Sequence, residues 1–297
     1  MENKTVVAWD SSPSAEAALE WAIERERGRN GTIAMVRVLG EIDTDADFSA
    51  TEREVAGERE GLDAAALRAQ RAAPDCLVTA TTIRGNPYDE LLRFVRPDWV
   101  VAVGTQQRTA ARFRYGGSMG ARLAAVAQGP VAIIPEHVTA NRSGIVVGVN
   151  GSSTSRAAVL VAAAEADERG EPLILVHAWR GPSLLPGQPM RDPVILRLLE
   201  DESRQILAEA GENVRQNFPR VKVERKSLHG SPHEVLQRSA KTAVALVLGS
   251  RGLHGVRRVL LGSVSHGIVL DLVTPTIIVG ELAPVLDGVS EDEPRRS

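Results

Sequence analysis

The run Ala243-Val244-Ala245-Leu246-Val247-Leu248-Gly249-Ser250-Arg251-Gly252, followed nine residues later by Gly262-Ser263-Val264-Ser265-His266-Gly267-Ile268-Val269-Leu270, decides the fold. The first apolar residues read as a buried strand, the spaced glycines as a loop and the second apolar stretch as a helix. Such a loop brings main-chain N–H groups and the positive end of a helix against an anion, most often a phosphate. Glycine belongs where φ must be positive, or where a ligand must touch the backbone with no Cβ between them. Ser263 sits at the expected N-cap, where its hydroxyl can serve the helix or a phosphate.

The pattern occurs twice. Gly249 lies 145 residues after Gly104, and Gly262-Ser263 lies 145 after Gly117-Ser118. Gly85-Asn86-Pro87 answers Gly230-Ser231-Pro232 at the same offset, as Pro130 answers Pro275. Nearer the N-terminus the offset is 140, matching Val6-Val7-Ala8-Trp9-Asp10 to Val146-Val147-Gly148-Val149-Asn150. The chain is therefore two copies of one unit, and its 297 residues give each copy enough length for its own core. The expected limits are 1–137 and 144–283, with a charged, aperiodic and therefore disordered tail at 284–297.

In each copy, short continuous apolar runs alternate with amphipathic stretches, the pattern of parallel strands buried on both faces. Strands are expected near Thr5–Trp9, Thr32–Val38, Val78–Ile83, Trp99–Val103 and Val131–Ile134. In the second copy they are expected near Gly144–Val149, Pro172–Ala178, Val221–Ser227, Val244–Leu248 and Thr276–Val279. Helices fall near Ser14–Arg27, Thr51–Ala72, Asn86–Arg93 and Ala121–Ala127, with counterparts in the second copy. Ser12-Pro13 is a strong helix start. Five strands alternating with helices predict an α/β, doubly wound sheet with right-handed crossovers. Gly40–Ala50 and Arg180–Pro193 read as flexible loops, and His137–Ser143 as a linker.

Composition narrows the function. A formal net charge of −3 gives no general attraction to nucleic acid. The lone cysteine, Cys76, leaves no intrachain disulfide and no multi-cysteine zinc site, and reads as a small residue before a strand. No apolar run reaches the ~18–20 residues of a membrane helix, and no signal peptide is visible. A cytoplasmic protein without membrane or nucleic-acid partners is expected.

In a doubly wound sheet, ligands bind beyond the carboxyl ends of the strands where strand order reverses. Asp10 and Asn150 end the first strand of each copy, Val38 and Ala178 end the second, and the glycine loop follows the fourth. A strand-end carboxylate can accept from a ribose diol, a strand-end backbone can pair with a base edge, and the loop can hold phosphate. Together these describe a mononucleotide site. Local charge agrees: 248–270 and 104–128 contain no acid but carry Arg251, Arg257 and Arg258, and Arg108, Arg112, Arg114 and Arg122.

Other motifs fit less well. A P-loop needs Gly-Lys, which the chain lacks, and a dinucleotide fingerprint belongs after the first strand. Gly116-Gly117-Ser118-Met119-Gly120 matches the string of a nucleophile elbow, but the residues before it are basic and mixed and Ser265 stands where the second copy would need the last glycine. The histidines show no metal spacing; His254 and His266 near the loop read as incidental. Trp9 and Trp99 read as core.

These residues resemble the universal stress protein family. Gly249, Gly252, Gly262 and Ser263 match its nucleotide signature G-x2-G-x9-G-(S/T), and the likeness extends to Val146–Val149 with Gly151-Ser152, Leu175–Ala178 and Gly230-Ser231-Pro232. The resemblance spans both copies. It implies tandem flavodoxin-like domains of the adenine nucleotide alpha hydrolase-like kind, with strand order 3-2-1-4-5, ATP binding, and pairing of the halves through their fifth strands. The resulting site comprises Asp10, Val38, Gly104, Gly117 and Ser118 in the first copy. In the second it comprises Asn150, Ala178, Gly249, Arg251, Gly252, Gly262, Ser263, Val264 and Ser265. The implied function is nucleotide-dependent regulation in a stress response without dedicated catalysis, in a homodimer whose halves also pair within the chain. Two rivals share the residues: a slow ATPase or phosphotransferase, in which Asp10 or Ser263 would align magnesium, and a nucleotide-free dimeric scaffold.

Each copy departs once from the pattern. Gln107 replaces the second glycine in the first, setting a side chain where backbone should meet phosphate; Asn150 replaces the family aspartate in the second. The second copy is therefore expected to bind more firmly. Gly252→Gln should abolish most nucleotide retention and Gly117→Ala should matter less, measured by equilibrium binding; the reverse ranking would refute this reading.

Overall fold

The computed structural model describes residues 4–40, 48–105, 118–138, 141–181, 183–185, 188–189, 192–250 and 261–280. The first half runs β1 (Lys4–Trp9), α1 (Pro13–Glu26), β2 (Thr32–Leu39), α2 (Phe48–Ala72), β3 (Leu77–Arg84), α3 (Pro87–Leu92), β4 (Trp99–Thr105), α4 (Met119–Val126) and β5 (Val131–Pro135). The second half runs β6 (Ile145–Gly148), α5 (Ser153–Arg169), β7 (Leu173–Trp179), β8 (Ser183–Leu185), β9 (Gln188–Pro189), α6 (Pro193–Asn217), β10 (Val223–His229), α7 (Pro232–Ala240), β11 (Ala245–Gly249), α8 (Ser263–Leu270) and β12 (Thr276–Val279).

Ten strands form one sheet, in the order β10-β7-β6-β11-β12-β5-β4-β1-β2-β3. Within each half the neighbours are parallel, and counted within each half the order is 3-2-1-4-5, as expected. The halves meet at an antiparallel pair, with Ala132 opposite Ile277 and the flanking pairs Ile133–Thr276 and Val131–Ile278. Residues 132 and 277 are the same position of the repeat, so a pseudo-twofold axis passes through that pair. Two apolar clusters cover the two faces of the sheet, and each contains residues from both halves. Alanines on α1 and α5 (Ala18, Ala22, Ala158, Ala162) let these helices lie close to the strands. At Gly280 the halves touch backbone to backbone, where a Cβ would come within 2.0 Å of the Ala127 carbonyl oxygen.

Helix starts follow their caps. Ser12 Oγ accepts from the Ala15 amide at 3.1 Å and Ser152 Oγ from the Ser155 amide at 3.2 Å, with Pro13 at the first position of α1. α5 ends on Gly170 with φ 65°, a left-handed cap. Several boundaries differ from expectation. α2 begins at Phe48, ahead of Thr51. The segment 180–193, expected to be a loop, contains the β8–β9 hairpin and the Asp192 cap of α6, where Oδ1 accepts from the Val194 amide at 2.9 Å. The strand expected from Val221 starts at Val223, because the Val221 amide turns back to the Phe218 carbonyl. Residues 41–47 and the tail 284–297 lie outside the described residues. Trp9 is buried as expected, whereas Trp99 is half-buried, stacked on Phe94 at 6.3 Å with Lys4 and Arg96 over its ring.

A buried charge cluster sits between α1 and α5. Glu165 Oε1 accepts from Arg25 Nε at 2.8 Å and Nη2 at 2.5 Å, and Oε2 lies 3.5 Å from both Arg29 Nη2 and Arg169 Nε. Arg25 also bonds Glu26 and Thr5. Burial alone would raise the Glu165 carboxyl, but the charges of Arg25, Arg29 and Arg169 outweigh it and hold the group at about 2 against an ordinary 4.5. A carboxyl depressed in the folded state contributes stability that is complete above about 4.5 and is lost as pH falls toward 2. Glu165→Gln is expected to lower stability at neutral pH by about 3 kcal/mol and to flatten the acid limb between these values in chemical denaturation. An unchanged acid limb would contradict this account.

Candidate functional site

The carboxyl ends of β6, β7 and β11 and the start of α8 enclose a cavity of about 150 Å³ in the second half. Asn150, Ala178, Gly249, Gly262, Ser263, Val264 and Ser265 all line it. Seven of the expected second-copy residues are thus brought together. Arg251 and Gly252 lie outside the described residues, as do Gly117 and Gln107 of the first copy. Seven residues outside the expected site complete the walls, among them Ser155 on α5, Pro232 and Leu236 on α7, and Leu248 on β11.

Asn150 is held by a turn that the sequence repeats. Its Oδ1 accepts from the Ser152 amide at 3.1 Å and from Ser152 Oγ at 2.7 Å, and its own amide donates to Ser155 Oγ at 3.0 Å. Because a backbone N–H can only donate, the side-chain oxygen must face Ser152, and Nδ2 is the group left for a ligand. Asp10 makes the same turn: Oδ1 accepts from the Ser12 amide at 3.0 Å and from the Ser12 hydroxyl. What remains to Asp10 is a carboxylate oxygen. The replacement thus changes the outward group from acceptor to donor as well as removing the charge. Both turns need a left-handed residue in the middle, Ser11 at φ 61° and Gly151 at φ 77°.

The first glycine of each signature has a different role from the one expected. A Cβ on Gly104 would fall 1.8 Å from the Ser14 carbonyl oxygen, and one on Gly249 would fall 2.7 Å from Thr154 Oγ1 and 2.8 Å from its carbonyl carbon. These glycines let the first turns of α1 and α5 cross the ends of β4 and β11. Close packing, rather than a ligand, explains the absence of a side chain.

The helix starts after the two loops are not equivalent. In the first half Ser118 is the N-cap of α4, and its Oγ accepts from the Ala121 amide at 3.3 Å. In the second half the helix begins one residue earlier. Gly262 is the N-cap, Ser263 is the first helical residue, and among the described residues no side chain caps the turn. Ser263 is therefore not the cap the sequence suggested. The Gly262 amide donates to the Ser250 carbonyl at 2.8 Å, and Ser265 Oγ donates to the Gly249 carbonyl at 2.8 Å, which pins α8 to the end of β11. The amides of Ser263, Val264 and Ser265 are the donors that an α-helix leaves without intrahelical partners. There is no acid in that turn.

Other expected features separate from the site. Arg122 lies 4.3 Å from the Tyr88 ring centroid, so this member of the basic stretch serves a cation–π contact. Val38 is half-buried, packed against the apolar cluster on its face of the sheet. His177 bonds Ser203 at 2.8 Å, on the α6 side of β7, and burial pushes its imidazole down, with Glu202 opposing. His266 is exposed. Among the described residues, no group of three His, Cys, Asp or Glu is placed to hold a metal ion, and no helix is long and apolar enough to cross a membrane.

The profile of the universal stress protein family matches residues 1–135 and 142–280. The chain belongs to the universal stress protein family. It is 30% identical to a universal stress protein of Mycobacterium tuberculosis over 92% of this chain and 93% of that protein. It is 28% identical to one of Mycolicibacterium smegmatis over 92% of this chain and 96% of the relative. A crystal structure of a universal stress protein from Archaeoglobus fulgidus shares the fold, with a TM-score of 0.67 at 18% identity, covering 95% of this chain and 99% of that one.

Proposed function

We propose that this universal stress protein binds an adenine nucleotide, ATP in the first instance, in the crevice of its second half, and that occupancy regulates a stress response without dedicated catalysis. The observation that carries this reading is the uncapped start of α8 at the mouth of the cavity. Three adjacent amides and the positive end of the helix macrodipole, equivalent to roughly half a unit charge, suit a phosphate. Asn150 Nδ2 can donate to a ribose oxygen, and the end of β7 at Ala178 offers main-chain groups to a base edge.

The first crevice is the weaker by the same reasoning. There Ser118 supplies the acceptor that a phosphate would otherwise supply, so an incoming anion must displace a bond already made. Magnesium would enter with the triphosphate, because the described residues place no cluster of ligands to hold it. Asp10, the acid at the first strand end, already commits one carboxylate oxygen to Ser12.

A proline scan of the two helix starts tests the reading. Gly262 and Ser118 both have ψ 154°, the extended geometry that a following proline requires. Proline at the first helical position removes one amide and leaves the helix intact. Ser263→Pro is expected to weaken ATP binding about tenfold or more, the scale of one charge-assisted hydrogen bond, with little change in Tm. Ser263→Ala should cost less, and Met119→Pro in the first half should leave the tight binding unchanged. Isothermal titration decides: equal losses in Ser263→Pro and Met119→Pro, or no loss in either, would overturn the assignment.

A further inference from the structure

The pseudo-twofold axis sets equivalent positions of the two copies against each other, and at two such positions the residues differ in complementary ways. In the sheet, Ala132 of β5 lies directly opposite Ile277 of β12, a small side chain against a large one. In the helical layer on the same face, Arg25 of α1 meets Glu165 of α5. These two belong to one position of the repeat by the 140-residue offset that also relates the caps Ser12 and Ser152. The charged pair is 8% and 4% exposed, so neither partner can turn to solvent if the match is wrong.

An interface between identical halves could carry neither feature, since a residue on the axis would meet its own copy. Two first halves would place Ala132 against Ala132, leaving a void, and Arg25 against Arg25, each guanidinium keeping Glu26 of its own half but losing its two bonds to Glu165. Two second halves would crowd Ile277 against Ile277 and set Glu165 against Glu165, each carboxylate keeping Arg169 of its own half but losing the bonds from Arg25. Unlike halves satisfy both positions at once. We infer that these four residues form a pairing code: the interface accepts only a first half against a second half and rejects like halves of neighbouring chains. The duplicated chain uses the freedom that duplication gives, attraction for the right partner and repulsion for the wrong one. The partner that fits the β5 edge is a domain with a large apolar residue and an anion on the axis. The inference does not depend on what the crevices bind.

The test uses the full-length chain with Cys76→Ala, to remove the buried native thiol, and Ala132→Cys as reporter. Only a first half paired with another first half sets residue 132 opposite itself, where an interchain disulfide can close. The reporter chain is refolded from denaturant in oxidising buffer, and the disulfide-linked dimer is measured by non-reducing electrophoresis. Two further chains carry the reporter. One adds Arg25→Gln with Glu165→Gln, whose amides pair equally well in every combination. The other adds Ile277→Ala, which removes the size difference and no charge. The reporter alone should give a trace of linked dimer, and each added change should raise it about tenfold as discrimination falls. If the glutamine chain does not refold, the Ile277→Ala chain carries the decision. A linked fraction that is already high in the reporter chain, or that the added changes leave at the reporter's level, would overturn the code.

Discussion

The antiparallel contact between β5 and β12 is the constraint on which the molecule depends. Each half is a five-stranded parallel sheet with an apolar fifth strand, and that strand is an exposed edge unless something pairs with it. The other half supplies the pair, so one ten-stranded sheet forms and the apolar clusters on both faces run across the axis. Everything on the helical layers follows from that register: α1 must lie beside α5, and the charges of Arg25, Arg29, Arg169 and Glu165 must be resolved where the two helices meet. The strands left at the outer edges, β3 and β10, hold only exposed and half-buried residues, and β10 carries Glu224, Arg225 and Lys226, which discourage further pairing.

The same architecture makes the halves inequivalent where ligands would bind. Both strand-end turns use a side-chain oxygen to hold a serine that caps the next helix, yet one turn presents a carboxylate oxygen and the other an amide nitrogen. Both loops end in a short helix, yet one helix caps itself through Ser118 and the other opens its amides to the cavity. A one-residue shift in where the helix begins relative to the conserved Gly-Ser pair of the repeat is sufficient. Capping hydrogen bonds and anion binding compete for the same donors, so stability of the first helix start and ligand affinity of the second are alternative uses of one motif.

Much of this was legible in the sequence, for identifiable reasons. Continuous apolar runs separated by helical periods give buried parallel strands almost without ambiguity, and a repeated offset gives the duplication. The clustering of Asn150, Ala178, Gly249 and Gly262–Ser265 followed from the rule that ligands sit at strand ends. The role of Gly104 and Gly249 was not legible, because a glycine demanded by a neighbouring helix looks the same in a string as one demanded by a ligand. Ser263 lies one residue beyond the N-cap, a distinction the string does not carry, since a serine after a glycine fits both N-cap and first-turn positions. The donor face of Asn150 depends on which atom the backbone of Ser152 occupies, and only the folded turn shows that. The Arg25–Glu165 contact needed the register of β5 on β12 before two residues 140 apart could be seen to share an axis.

Hydrogen exchange read by mass spectrometry, with and without saturating ATP, tests the central claim most directly. The account predicts that the amides of residues 263–265 exchange about tenfold or more slowly when nucleotide is present, while those of 119–121 keep their rates. Equal protection at both helix starts, or none at 263–265, would contradict it.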